Sequence, residues 1–223
     1  MTDPRAALSP NARRWLDACL PVEAPTPERI LNTQEGQIDV RGKWLQFAAE
    51  TRYDLRSFGY GWRARIAVMP GVWVVAKDGH DGATGWGGAK LWGILPAGGL
   101  TGPEVFKMQL MRHFAELPWM PEQALALPGV VWTDRDDGGF ELKAEVGGAS
   151  ASVRFDLSSD GDIARASGLR AYDVPDGFVE APWRCDYSEH TEFSGVRVPA
   201  RAVSTYEKAD GEWTYWRARL TSR

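Results

Sequence analysis

From Gly36 onward apolar and polar residues alternate with a period of two, and turns rich in Gly and Asp interrupt the alternation at short intervals. A period of two puts successive side chains on opposite faces of a strand, so the pattern leaves little choice but strands with one buried face. Ile38 and Val40 follow it, as do Leu45, Phe47, Ala49 and Thr51, then Trp62, Ala64, Ile66 and Val68. After a central interruption, Phe140, Leu142, Ala144 and Val146 repeat it, followed by Ala151, Val153, Phe155 and Leu157. Asp78-Gly79, Asp81-Gly82, Asp160-Gly161 and Asp210-Gly211 supply residues that tolerate the positive φ of tight hairpins. With further strands over Ala89–Leu95 and Trp213–Leu220, the turn spacing predicts an antiparallel meander of about ten strands.

Two segments have helical spacing instead. Ser9-Pro10-Asn11 opens a short helix carrying Trp15, Leu16 and Leu20, which the prolines of Pro21–Pro27 end. Thr101-Gly-Pro-Glu104 reads as a capping box for a second helix over 101–117, with Phe106, Leu110, Phe114 and Leu117 as its apolar stripe. Pro118 closes it, and Pro121–Leu127 reads as a further turn or two of helix. A long antiparallel sheet curls and must cover its concave apolar face, and one mid-chain helix suits that task. The expected fold is mainly β (α+β), a curved half-barrel with one crossing amphipathic helix. Residues 1–35 form a lead-in and 36–223 a single domain.

Eleven tryptophans lie along this pattern. Each brings a large apolar area and an N–H that needs a partner when buried, so their number implies an aromatic-lined interior with room for a guest. Trp62, Trp92, Trp119 and Trp132 are the expected ligand-binding wall, together with His113. Trp15, with Trp213 or Trp216, is assigned to ordinary packing.

His113-x-x-Glu116 places two titratable groups on neighbouring turns of the second helix. His113 points along the apolar stripe toward the sheet, while Glu116 lies about 60° around the helix, where Arg112 can pair with it. These two are the candidate general acid or base. No metal site is expected, because His80 and His190, the other histidines, fall in expected loops and supply no third ligand. Asp156-x-Ser158-x-Asp160-Gly161-Asp162 copies the first half of a calcium loop, but Ser167 stands where the closing glutamate belongs, so it reads as a hairpin turn. Gly148-Ala-Ser150-Ala-Ser152 lacks the last glycine of a nucleophile elbow and joins strand to strand. Cys185 and His190 have no third group to orient them, and Asp134-x-Asp136-Asp137 reads as a solvated turn. Gly85-Trp-Gly-Gly88 and Gly98-Gly99 are followed by no Gly-Lys-Ser/Thr, so no phosphate loop and no cofactor are expected.

A net charge of −4 argues against nucleic acid or an anionic membrane as partner. No window approaches the 18 or so apolar residues of a membrane span, and Met1–Pro10 has no secretory pattern. The expected compartment is the cytoplasm, with Cys19 and Cys185 reduced.

Several segments taken together resemble an uncharacterised bacterial domain-of-unknown-function family. They are His113-Phe-Ala-Glu-Leu-Pro-Trp119-Met-Pro121 with Val131-Trp132, Val153-Arg-Phe155-Asp-Leu with Asp160-Gly161, Pro182-Trp183 with Tyr187, and Gly195-x-x-Val198-Pro199. The resemblance runs over roughly residues 40–220 and departs from the family at Tyr215-Trp216-Arg217, where a tyrosine is expected beside the arginine. It implies a curved sheet crossed by a helix, similar to the lipoprotein-carrier (Lol-like) half-barrels, and no established reaction.

Three functions fit. The first is binding of a small apolar or aromatic ligand between sheet and helix. The second is a cofactor-independent hydrolase, isomerase or cyclase using His113 or Glu116, and the third an interaction protein whose tryptophans are core.

Overall fold

The computed structural model describes residues 3–127 and 129–223. Helix α1 (Pro10–Cys19) precedes six strands: β1 (Arg29–Val40), β2 (Lys43–Asp54), β3 (Gly59–Met69), β4 (Val72–His80), β5 (Gly85–Leu91) and β6 (Leu95–Thr101). Helix α2 (Pro103–Ala115) and two short 3-10 turns, Leu117–Trp119 and Pro121–Leu125, follow. Seven more strands complete the chain: β7 (Val130–Asp134), β8 (Phe140–Val146), β9 (Ala149–Leu157), β10 (Ile163–Val174), β11 (Gly177–Phe193), β12 (Val196–Lys208) and β13 (Gly211–Ser222).

All thirteen described strands join one sheet in the order β6-β5-β4-β3-β2-β1-β13-β12-β11-β10-β9-β8-β7. Every ladder is antiparallel, including the central seam where Gln34 faces Leu220 and Ile38 faces Trp216. Two meanders therefore meet at β1 and β13, and α2 carries the chain from one outer edge to the other. The sheet curls into a half-barrel around it. Helix α2 touches β4, β5 and β6 on one flank and β9 and β10 on the other.

The strand count exceeds the expected ten because some strands lack clean alternation. Ala89–Leu95 is not one strand; Trp92, at φ 51°, and Gly93 turn the chain there from β5 into β6. The sequence of β6, Leu-Pro-Ala-Gly-Gly-Leu-Thr, carries no period at all. Asp78-Gly79, expected as a hairpin, lies inside β4, paired with Trp62 and Gly61 of β3. The sheet also starts earlier, at Arg29. The capping box does not form: Thr101 ends β6, Gly102 at φ 115° precedes the helix, and no side chain caps it. A glycine turn feeding Pro at the first helical position starts α2 instead.

Buried alternating residues supply the core. Phe47 and Trp62 from β2 and β3, with Phe140 and Phe155 from β8 and β9, pack toward the concave side, and Leu110 and Phe114 of α2 fill the middle. Helix α1 lies against β7 and β12, with Trp15 5.8 Å from Phe140.

The seat of α2 depends on Gly85. A Cβ there would lie 2.3 Å from the Phe106 Cα, so only glycine lets the helix backbone rest on β5. Gly85→Ala should cost about 2 kcal/mol in urea unfolding. Gly87→Ala, whose Cβ would meet nothing nearer than Asp78 Cβ at 3.9 Å, should change stability by no more than about 0.5 kcal/mol.

Candidate functional site

Between α2 and the concave sheet lies a cavity of about 610 Å³. Its two walls differ in kind. On β4, β5 and β6 it meets Ala76, Gly87, Gly88, Ala89, Gly98 and Gly99, residues with almost no side chain. Across from them, β10–β13 present Tyr172, Trp183, Tyr206, Trp213, Tyr215 and Trp216, while Trp62 and Trp119 close the inner end. The exposed lining residues Lys77, Leu100 and Asp173 mark where the cavity meets solvent.

A bulge builds the aromatic wall. Thr205 pairs with Thr214 and Ser204 with Trp216, so Tyr215 is an extra residue in β13. The bulge shifts the phase of the strand, and Trp213, Tyr215 and Trp216 all reach the cavity. Strict alternation would put Trp213 and Trp216 on opposite faces. Rings then pack along the wall: Tyr206 stacks on Trp213 at 6.0 Å and lies tilted to Tyr215 at 5.3 Å and to Tyr172 at 5.1 Å.

Two arginines give the cavity its charge. Arg112 of α2 donates from Nη1 to both Asp78 oxygens, each at 3.0 Å, and from Nε to Glu116 at 2.7 Å. Tyr60 donates to Asp78 at 2.8 Å and Tyr53 to the other Glu116 oxygen. The Arg112 guanidinium also lies 5.1 Å from the Trp62 ring. Arg170 of β10, further along the wall, is held by Tyr206 and Tyr215 hydroxyls. The buried Trp62 N–H has no partner, whereas Trp119 donates to the Pro199 carbonyl and Trp213 to Asp39. Cys185 also lines the cavity, and burial pushes its thiol up to about 11, which keeps it protonated and a poor nucleophile. Cys19 is buried in α1; both cysteines are free.

The expected site residues fall into two groups. Trp62, Trp119 and Glu116 line the cavity; His113, Trp92 and Trp132 do not. Trp92 stands on the outer β5–β6 turn, 41% exposed, where its N–H reaches the Gly71 carbonyl at 3.0 Å. Trp132 packs on Phe140, 5.8 Å away, on the α1 side of the sheet. The reason for His113 is rotational. Helix α2 shows Val105, Met108, Gln109, Arg112 and Glu116 to the cavity, while the Phe106–Leu110–His113–Leu117 stripe packs solidly beside it. Asp78, Arg112, Arg170 and the β13 aromatics complete the site. In the sequence Asp78 reads as part of a turn, Arg112 only as the i,i+4 partner of Glu116, Arg170 carries no signal, and the bulge inverts the strand phase of the β13 aromatics.

His80 lies in β4 and not in a loop, fully buried, with its Nε2 2.8 Å from His113 Nδ1. His80 Nδ1 accepts from the Gly82 N–H at 3.1 Å, which makes its Nε2 the donor to His113. Phe58, 4.8 Å from His113 ring to ring, and Tyr60 enclose the pair, and buried Gln123 lies beside it without completing a hydrogen bond. Burial holds both imidazoles below their ordinary value, His80 at about 4, and His113 is lowered further by its neighbour His80. Among the described residues no three His, Cys, Asp or Glu side chains gather as a metal site needs.

A family profile matches residues 2–218 of this chain. The chain belongs to DUF6544, a family of unknown function. No curated protein matches its sequence. Among solved structures it is similar to a LolA superfamily protein from Nitrosomonas europaea, with 9% identity, a TM-score of 0.48, and coverage of 95% of this chain and 91% of that one. A DUF1329 family protein from Desulfovibrio piger gives 14% identity and a TM-score of 0.46, covering 99% of this chain and 92% of that one.

The neutral histidine pair makes this protein's stability depend on pH. Unfolded histidines titrate near 6.5 and folded His80 near 4, so between those values the unfolded chain binds more protons. Stability is then complete above pH 6.5 and falls as pH drops through that window. His80 alone accounts for roughly 3 kcal/mol at 1.4 kcal/mol per unit. Urea midpoints at pH 7 and 5 should fall steeply for the wild type and distinctly less for a His80→Gln/His113→Gln double variant.

Proposed function

We propose that this DUF6544 protein binds a small apolar or aromatic molecule in the cavity between α2 and the curled sheet. The observation that carries the reading is the unfilled space of about 610 Å³ between a glycine wall and an aromatic wall. Protein interiors close-pack, so a space of this size inside a folded chain needs a reason. Ligand cavities run from about 300 to 1,000 Å³, mostly apolar with a few placed polar groups. Arg112, Asp78, Glu116 and the unpartnered Trp62 N–H provide such groups here.

An acid–base role draws less support. His113 lies outside the cavity, and Glu116 already accepts from Arg112 and Tyr53 through its two oxygens. Neither is poised to exchange a proton with a guest.

N-phenyl-1-naphthylamine, a neutral aromatic fluorophore, tests the reading. It should bind saturably with a Kd on the order of micromolar while quenching tryptophan emission. Gly87→Leu, which fills the open wall, should weaken binding by about tenfold or more without lowering the melting temperature. A flat titration with unchanged tryptophan emission would sink the proposal.

A further inference from the structure

Arg170 is 7% exposed on the cavity wall. Its Nε donates to the Met108 carbonyl at 3.4 Å, and its Nη1 to the hydroxyls of Tyr206 at 2.9 Å and Tyr215 at 3.2 Å. Among the described residues Nη2 makes no hydrogen bond and the guanidinium makes no ion pair. Arg112, by contrast, is paired with both Asp78 and Glu116. A guanidinium does not shed its charge, and a buried charge without a counter-ion is costly.

Tyr215 carries the second observation. Its oxygen accepts from Arg170 Nη1 and from Trp183 Nε1 at 3.0 Å, while its own O–H has no protein acceptor. Tyr206 differs, because it donates to the Ala171 carbonyl at 2.9 Å. Arg170 Nη2 and the Tyr215 O–H are thus two donors side by side on the aromatic wall, neither of them engaged.

Building on the binding reading above, we propose that the ligand is an amphiphile with a single carboxylate, received by Arg170 Nη2 and the Tyr215 hydroxyl while its apolar part lies along Trp183, Trp213 and Trp216. Guanidinium and carboxylate match in charge, and the two carboxylate oxygens can each take one donor, from Nη2 and from the Tyr215 hydroxyl. The charged lining residues already balance, with Arg112, Arg170 and Lys77 against Asp78, Glu116 and Asp173, so a carboxylate adds one excess negative charge where a dianionic phosphate adds two. The ring of Trp183, whose centroid lies 5.5 Å from the Arg170 guanidinium, adds a cation–π contact beside the pair.

Displacement of bound N-phenyl-1-naphthylamine by laurate, 1-dodecanol and dodecyl phosphate tests this. In the wild type laurate should displace the fluorophore at a concentration about tenfold lower than dodecanol does. In Arg170→Gln that preference of laurate over dodecanol should vanish, and in Tyr215→Phe it should shrink by a few-fold. Equal displacement by laurate and dodecanol overturns the carboxylate site and leaves the binding reading standing. Dodecyl phosphate stronger than laurate overturns the single-charge assignment. Failure of the fluorophore itself to bind removes both. If Arg170→Gln does not fold, Tyr215→Phe decides, and an unchanged laurate preference there counts against the proposal.

Discussion

Helix α2 touches both flanks of the curled sheet, and the contact that fixes it is backbone against backbone at Gly85. The orientation of the two helix faces follows from that seat. One face of the helix, from Phe106 to Leu117, packs into the core and seals the His80–His113 pair away from water. The neighbouring face turns Arg112 and Glu116 toward open space. A side chain at residue 85 would lift the helix off β5 and blur the distinction between the packed face and the open one.

The cavity exists because of a mismatch in residue size across it. Aromatic rings on β10–β13 pack on each other along one side, and the opposite strands offer glycine and alanine, which cannot reach across. Strand glycine weakens a sheet through lost packing and backbone entropy. Six small residues in one wall represent stability forgone, which fits a wall kept open for a guest. The charged groups are spaced within the same frame: Arg112 is neutralised by its own carboxylates, while Arg170 is held by neutral acceptors, two phenols and the Met108 carbonyl.

Much of the fold was legible in the residues. Period-two alternation at Phe140–Val146 and Ala151–Leu157, and the helical stripe at Phe106–Leu117, correspond to real elements. Strand order within each meander follows because sequential hairpins pair with their neighbours. The site was less legible, for reasons that can be named. Periodicity reports which face a residue occupies only while the phase holds, and the extra residue at Tyr215 breaks it exactly where the aromatic wall is built. Asp78-Gly79 has the composition of a turn, but Gly79 sits against the β3 backbone with its Cβ direction 2.2 Å from the Tyr60 carbonyl, so it continues a strand. Helix stripes locate the packed face, whereas this cavity borders the adjacent one. Glycine runs without a phosphate-loop pattern carried no catalytic message, and their message was space.

The seam between β1 and β13 joins residues such as Gln34 and Leu220 that lie almost at opposite ends of the described chain. Each six- or seven-stranded arm can zip through local hairpins, but neither arm can bury its inner edge until the other arrives. On a ribosome the first arm must wait through the synthesis of the second with β1 as an unpaired edge. The two arms thus close through the longest-range ladder of the described sheet, and the Trp213–Trp216 wall stands on the strand that makes it.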